Sequence, residues 1–455
     1  MITLQEIARA VGGRLVGPDA VCTSVVTDTR AEVKGALFVA LAGERFDGHA
    51  FLALAKDRGA AGALVMRAPA PAEPPAVVVD DTRAALGRLA AYWRNKCTAR
   101  VVAVTGSNGK TTVKEMSALI LARAGLTIAT AGNLNNDIGM PLTLLRLRPE
   151  HRYAVIEIGM NRPGEIAALS AIAGPDVAVV TNAGHAHLEG LGTTGAVAVE
   201  KGQIYHALRA GGVAVINADQ PYAQAWRRAW GGRVITYGLE APADVSARFA
   251  LTASGSNMSV TGPFDGSPLA MTLSVLGRHN VANATAAAAV ALACDVPPPA
   301  IIAGLEAMRP VHGRLESQAG LHGMQLIDDT YNANPDSARA AIDVLANVSG
   351  ERFFVLGDMA ELGPQAARLH EELGTEAVAA GLEHIWTIGA LAAHASAAAG
   401  HRGRHHEDFG SLIHHLQQAA HPDCVVLIKG SRKMGMERVV SALREEGIVD
   451  APMVI

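Results

Sequence analysis

Between Val101 and Thr112 the chain reads Val-Val-Ala-Val-Thr-Gly-Ser-Asn-Gly-Lys-Thr-Thr, an apolar run, a glycine turn and the start of a helical stretch that reaches Arg123. The run has no polar face, so it predicts a strand buried on both sides, the habit of a parallel sheet covered by helices. The glycines let backbone N–H groups close around phosphate oxygens, and the helix start adds positive potential. Lys110 can neutralise phosphate charge and Thr111 can ligate Mg²⁺. A strict nucleotide loop places glycine where Val104 stands; the order strand, loop, helix supplies the context despite this departure. The expected phosphate contacts are Gly106, Ser107, Asn108, Gly109, Lys110, Thr111 and Thr112. Such a loop specifies a nucleotide and leaves the reaction open.

The strand is the first of a series. Further apolar runs at Tyr153 to Ile158, Val177 to Val180, Val213 to Ile216 and Val234 to Tyr237 alternate with helical stretches, as parallel strands joined by crossover helices do. From Asp244 to Leu276 the composition shifts to Ser, Thr and Gly among alternating apolar residues, which predicts an antiparallel patch on the same domain. Helices over Asn280 to Ala293 and Pro299 to Met308 close it. After Arg309-Pro310 a second series has strands at Gln325 to Asp328, Phe353 to Leu356, Ile385 to Ile388 and Val425 to Ile428, reading as a doubly wound unit. Ahead of both lie strand-like Leu37 to Leu41, Ala63 to Met66 and Val77 to Val79, and a helical Ala50 to Arg58. The Pro-rich Ala68 to Ala76 is read as a loop, because a strand follows it at once, and a helix from Thr82 to Lys96 bridges onward. The fold class is α/β with three domains, 1–81, 82–311 and 312–455, in keeping with 455 residues.

Composition narrows the partners. With 39 Lys and Arg against 43 Asp and Glu the net charge is −4, which disfavours nucleic-acid binding because that needs a basic surface. The most apolar stretch, Ala284 to Cys294, is too short to span a bilayer, and Met1 to Gly13 lacks an export pattern. Four scattered cysteines give no disulfide framework, so a reducing cytoplasm is expected, with no membrane insertion. A monomer is expected. The histidines His401, His405, His406, His414 and His415 lack accompanying Cys or acidic ligands and read as solvated surface.

Acidic and basic residues after the loop carry the chemistry. Glu157 ends the strand beginning at Tyr153, where a Mg²⁺ ligand would face the phosphates. His187 follows the next strand and could complete a metal site as a neutral imidazole, with His185 competing for that role. Lys201 lies in a helical stretch, Thr193 to Leu208, where pattern alone reads it as a solvated helix lysine.

Together the loop 105–112, Glu157, His187-Leu188-Glu189-Gly190, Lys201-Gly202, Gly277-Arg278-His279-Asn280, Gly313-Arg314 and Lys429-Gly430-Ser431-Arg432 resemble the Mur ligase family, ATP-dependent amide-forming enzymes of peptidoglycan precursor synthesis. The correspondence runs in order through nearly the whole chain. Thr112 to Met116, Ala131 to Gly139, Asp328 to Pro335 and Gly357 to Gly363 resemble the branch that joins D-alanyl-D-alanine to a UDP-N-acetylmuramoyl-tripeptide. The diamino-acid-adding branch usually carries Asp-Asn-Pro-Arg, which this sequence lacks, and folate-type members usually read Gly-Lys-Gly-Ser in the loop. A regulatory P-loop switch would account for the loop but not for the first domain or the second α/β unit.

The resemblance implies ATP on Gly106 to Thr112, one Mg²⁺ on Thr111 and Glu157, a second on His187, and a carbamylated Lys201. It also implies Asn280 at adenine, and Arg314 and Asp329 reaching the nucleotide across the domain interface. Lys110, Glu157, His187, Lys201 and Arg314 are the catalytic set it implies. Thr27, Asp28 and Arg30, with Arg45, Asp47 and His49, look like the UDP-sugar end. Asn133, Asn135, Asn136 and Asp137 are expected at the tripeptide arm, and Tyr331, Asn332 and Asn334 at the dipeptide. Gln203 stands where relatives often have Glu. An activated carboxylate must be kept from water, so the C-terminal domain is expected to close over the ATP domain with substrates bound.

Overall fold

The apolar run that opens the glycine loop is the strand Arg100–Thr105, third in a sheet of nine. A computed structural model describes residues 1–43, 46–264, 266 and 268–445. The sheet runs Thr127–Ala129, Tyr153–Glu157, Arg100–Thr105, Val177–Val180, Val213–Asn217, Arg233–Gly238, Val245–Thr252, Gly255–Thr261, Leu269–Leu273. Neighbours are parallel as far as Val245–Thr252, and the last two pairings are antiparallel. The Ser- and Thr-rich patch therefore extends the same sheet.

Alternate residues of the central strands feed opposite cores, since successive strand side chains point to opposite faces. Val101, Ala103, Ala154, Ile156, Ala178 and Val180 join one buried cluster. Val102, Val104, Val155, Val177 and Val179 join the other, with the Ala-rich helix Arg278–Ala293 and the loop helix Lys110–Ala122. Both faces are covered, so continuous apolar runs are what these strands need.

Helix Thr82–Lys96 is bounded as its sequence suggests and fastens the first two domains together. Asp81 caps it, accepting from the N–H groups of Arg83 and Ala84. Thr82 Oγ1 donates to the Ala40 carbonyl and Tyr92 OH to Glu6 Oε1 on the N-terminal side. Arg94, almost wholly buried, donates to Asp176 Oδ2 at 2.7 Å and to the carbonyls of Ala173, Gly174 and Cys97 on the other. The N-terminal domain itself is a five-stranded sheet, Arg14–Val16, Ala76–Val78, Gly62–Val65, Ala36–Val39, Ser24–Val26, antiparallel only in its first pairing. Because Ala76–Val78 is its second strand, the Pro-rich segment is a loop within this domain.

The C-terminal sheet runs Glu316–Ala319, Gln325–Asp329, Cys424–Lys429, Glu351–Gly357, His384–Ile388, Gly403–His406, parallel except for the first pairing. The last strand in sequence is inserted beside the first parallel one. Strand order thus breaks from sequence order there while the strands stay parallel, and ligands of such sheets collect beyond the strand carboxyl ends. Two edge strands escape the sequence pattern, Glu316–Ala319 and Gly403–His406, because neither has an apolar run. The second corrects the reading of the histidine cluster as solvated at His406. His406 lies in this strand, buried against Trp386 and His415, and burial lowers its pKa to about 4. His405 is exposed, and its Nδ1 pairs with Thr387 Oγ1, whereas His401 and His414 are at the surface.

Candidate active site

Parallel register brings the ends of three central strands together, with Val104 opposite Glu157 and Thr105 opposite Val180. The glycine loop leaves the middle one. Gly106 takes φ 155°, and a Cβ there would stand 1.8 Å from Thr181 Oγ1. Gly109 takes φ 78°, with Asn283 Oδ1 2.4 Å from the same added atom. Both positions therefore require glycine. Asn182 Oδ1 accepts the Asn108 N–H, Thr181 Oγ1 donates to the Asn108 carbonyl, and Ser107 Oγ accepts the Gly184 N–H. The loop is held open by its neighbours, with Thr111 and Thr112 in the first turn of the helix.

Beyond these ends lies a cavity of about 1250 Å³ between the central and C-terminal domains. Lys110 Nζ donates to the carbonyls of Gly106 at 2.8 Å and Ser107 at 3.3 Å. Burial holds its pKa below the ordinary lysine range; the Arg314 charge acts the same way and Glu157 opposes them. An anion beside these cations would restore the balance. Glu157 is 2% exposed; its Oε1 accepts from Asn135 Nδ2 at 2.7 Å and its Oε2 is buried without a partner. A buried carboxylate oxygen left unpaired is costly, and a cation would satisfy it. Thr111 Oγ1 accepts from Arg314 Nη2 at 3.0 Å, and the Arg314 guanidinium lies 4.2 Å from the centre of the Tyr331 ring.

Lys201 is 1% exposed, which corrects the reading of a solvated helix lysine. The pattern misleads because helix Thr194–His206 has little amphipathicity, leaving Val199 exposed while Lys201 and Gly202 turn inward. No hydrogen bond or ion pair holds the Lys201 amine among the described residues. Burial, with the Lys110 charge adding to it, pushes its pKa well below the ordinary value. Gln203 bonds along its own helix, from Nε2 to the Val199 carbonyl at 3.5 Å.

The remaining candidates divide. Asn280 lines the cavity and is tied to the Leu276 carbonyl and to Asn283. Asp329 pairs with Lys429 at 2.5 Å; burial raises its pKa while Lys429 opposes that shift. Asn332 accepts from Lys429 through its carbonyl, and Asn334 exchanges amide hydrogen bonds with Asn108 at 2.8 and 3.3 Å. Asn133, Asn135, Asn136 and Asp137 also line the cavity, where Asn136 Oδ1 accepts the N–H groups of Ile138 and Gly139 and Asp137 pairs with Arg83 at 2.6 Å.

The N-terminal candidates do not line this cavity. Thr27 is half-buried, and Arg30 and Asp28 pair with each other at the surface, where Arg30 holds the Asp28 pKa at about 2. His49 is buried, with Nδ1 on Asp47 Oδ1 at 2.6 Å and Nε2 accepting the Met66 N–H at 2.9 Å. Both ring nitrogens hold the local loop together. Arg45 lies outside the described residues.

Sequence reasoning assigned no role to Lys429, Asp336 or Glu361, although it singled out the segments carrying Lys429 and Glu361. Asp336 accepts from the His185 backbone N–H at 2.7 Å and pairs with His185 Nδ1 at 2.9 Å, which separates His185 from His187. His187 Nδ1 lies 2.8 Å from Glu361 Oε2 instead. A separate group, His312, Glu316 and Asp328, places its potential ligand atoms within 4.8 Å of one another at the edge strand. It shares no residue with the expected metal set.

Comparison with known proteins matches the Mur ligase middle domain to residues 104–291 and the Mur ligase, glutamate ligase domain to residues 313–432. The UDP-N-acetylmuramoyl-tripeptide–D-alanyl-D-alanine ligase of Escherichia coli (strain K12) is 43% identical over 98% of this chain and 99% of its own. A crystal structure of MurF from Acinetobacter baumannii superposes with a TM-score of 0.89 at 37% identity, covering 97% of this chain and 98% of that one. MurF ligase from Thermotoga maritima in complex with ADP gives a TM-score of 0.81 at 28% identity, with 92% and 96% covered.

Proposed function

The chain belongs to the Mur ligase family, and from that premise we propose how its residues divide an ATP-driven ligation among them. The reaction joins D-alanyl-D-alanine to UDP-N-acetylmuramoyl-tripeptide, giving UDP-N-acetylmuramoyl-pentapeptide, ADP and phosphate in peptidoglycan precursor synthesis. The observation that carries the residue assignment is the convergence of Lys110, Glu157 and Arg314, from three segments and two domains, on one cavity.

A carboxylate is a poor electrophile. One oxygen of the tripeptide carboxylate attacks the γ-phosphorus, the bond to the β-phosphate oxygen breaks and ADP leaves. The amine of D-alanyl-D-alanine then adds to the acyl carbon and loses a proton, and phosphate departs with the carboxylate oxygen. The protein contributes position and charge. The loop 106–112 holds the ATP phosphates, Lys110 stays beside the transferring group, and Arg314 brings a second cation from the other domain. Asn280 faces the adenine end, and Asp329, held by Lys429, the nucleotide across the interface. Thr111, Glu157 and His187 are the residues that would hold Mg²⁺, two ions in this reading, and the unpaired Oε2 of Glu157 fits that role. Bound Mg²⁺ neutralises phosphate charge and polarises the γ-phosphoryl group.

Lys201 joins them as a carbamate. A buried amine without a partner favours its neutral form, and a neutral amine can add to carbon dioxide, losing a proton to give an anionic carboxylate. Asn133, Asn135, Asn136 and Asp137 line the tripeptide side, and Tyr331, Asn332 and Asn334 the dipeptide side. Thr27, Asp28, Arg30, Arg45, Asp47 and His49 serve the UDP-sugar end, with the His49 ring also bracing Asp47. Three domains, 1–81, 82–311 and 312–455, support this division, since helix Thr82–Lys96 follows the first sheet and strand Glu316–Ala319 opens the last. Asn108 with Asn334, and Thr111 with Arg314, are the contacts that would exclude water. We place the enzyme in the cytoplasm as a monomer; no described helix is long and apolar enough to cross a membrane.

Isotope transfer tests the acyl-phosphate route. Tripeptide labelled with ¹⁸O in its terminal carboxylate should yield phosphate carrying one labelled oxygen per turnover. Unlabelled phosphate would exclude attack by the carboxylate on ATP.

A further inference from the structure

Two residues other than glycine face each other across the domain interface with left-handed backbones, His187 at φ 58° and Glu361 at φ 63°. Each such conformation is strained for a residue with a side chain and persists only where the surroundings impose it. Here they impose it on both sides. His187 precedes the short helix Leu188–Leu191 of the central domain, and Glu361 lies in the turn after strand Glu351–Gly357 of the C-terminal domain. The Glu189 N–H donates to the Glu361 carbonyl at 3.0 Å, and the carboxylate reaches back to His187 Nδ1 at 2.8 Å. Both residues line the cavity.

We propose that Glu361 is the positioning residue through which docking of the C-terminal domain completes the metal site of the central domain. This rests on the reading of His187 as a metal ligand. A carboxylate on Nδ1 keeps the proton there, leaves Nε2 with the free lone pair and fixes the ring, as the partners of metal-binding histidines do. What is unusual is the origin of the partner. The ring belongs to one domain and the group that orients it to another, so His187 is set for a metal only while the domains are docked. By linkage, metal bound with nucleotide must favour docking to the same extent that docking favours the metal. Asp336 holds His185 from the same C-terminal domain, which leaves His187 as the histidine of this loop that the Glu361 turn controls.

The test is the affinity of the ADP complex for Mn²⁺, read as free Mn²⁺ by electron paramagnetic resonance on the full chain. Glu361→Gly accepts the left-handed backbone without strain while removing the side chain and with it the carboxylate on His187, so it should weaken Mn²⁺ about 10-fold. Glu361→Gln, whose amide oxygen can still accept from Nδ1, should fall between it and the parent. His187→Gly reports the underlying reading and should weaken Mn²⁺ at least as much as Glu361→Gly. If His187→Gly weakens binding and Glu361→Gly does not, Glu361 is structural and the proposal fails while His187 remains a ligand. If neither changes the affinity, the assignment of His187 is wrong and the proposal fails with it.

Discussion

Lys110→Ala should lower the rate of ligation by roughly a thousandfold, the scale seen when a preorganised charge at a phosphoryl or acyl transfer site is removed. Lys110 is the loop's own cation, held at the Gly106 and Ser107 carbonyls and partly desolvated, so no bulk solvent replaces it when phosphate charge shifts toward ADP. Arg314 does not substitute for it, because its guanidinium is committed to Thr111 and lies over Tyr331. The same variant should bind UDP-N-acetylmuramoyl-tripeptide within about twofold of the parent, since the residues assigned to the UDP-sugar end lie outside this cavity. Calorimetric titration of that substrate checks it. A parallel loss of substrate affinity would show that the two subsites are not separate.

Lys201→Ala should cost about a hundredfold or more in turnover, and short carboxylic acids such as formate or acetate should restore part of it. The reasoning is steric as well as electrostatic. Removing three methylenes and the amine from a site 1% exposed leaves room for a small carboxylate where the carbamate group would stand. A structural lysine would give a different result, a loss that no carboxylate repairs. Full activity of Lys201→Ala without additives would remove the residue from the mechanism. Gln203 should matter little, since its side chain bonds along its own helix.

Much of the fold is legible because burial on both faces demands continuous apolar runs, and the strands around the glycine loop have them. Arg100–Thr105, Tyr153–Glu157 and Val177–Val180 differ from their expected bounds by a residue or two at most. Edge strands are not legible in the same way. Thr127–Ala129 is three residues long, Glu316–Ala319 is polar, and Gly403–His406 contains no aliphatic side chain, so nothing in their composition sets them apart from loops.

The loop, Glu157 and His187 are readable because they lie at or beyond the carboxyl ends of three neighbouring strands: the loop follows Thr105, Glu157 ends its own strand and His187 comes seven residues after Val180. Lys201 is not, because a helix with weak amphipathicity does not announce which face is buried. The cross-domain partners are hidden for a further reason. Asn108 and Asn334 are 226 positions apart and His185 and Asp336 are 151 apart, and only the packing of two separate sheets makes them neighbours. The resemblance supplied Arg314 and Asn334, whereas Asp336 and Glu361 came from geometry.

The measurement that bears most directly on the account is phosphate release from ATP across a small set of substrates. The set pairs UDP-N-acetylmuramoyl-tripeptides ending in meso-diaminopimelate or L-lysine, and the UDP-dipeptide, with D-alanyl-D-alanine or a free diamino acid. Turnover should require a tripeptide together with D-alanyl-D-alanine, with one phosphate formed per UDP-N-acetylmuramoyl-pentapeptide and near silence from ATP alone. Turnover of the UDP-dipeptide with a free diamino acid, or steady hydrolysis of ATP without an amine, would contradict it.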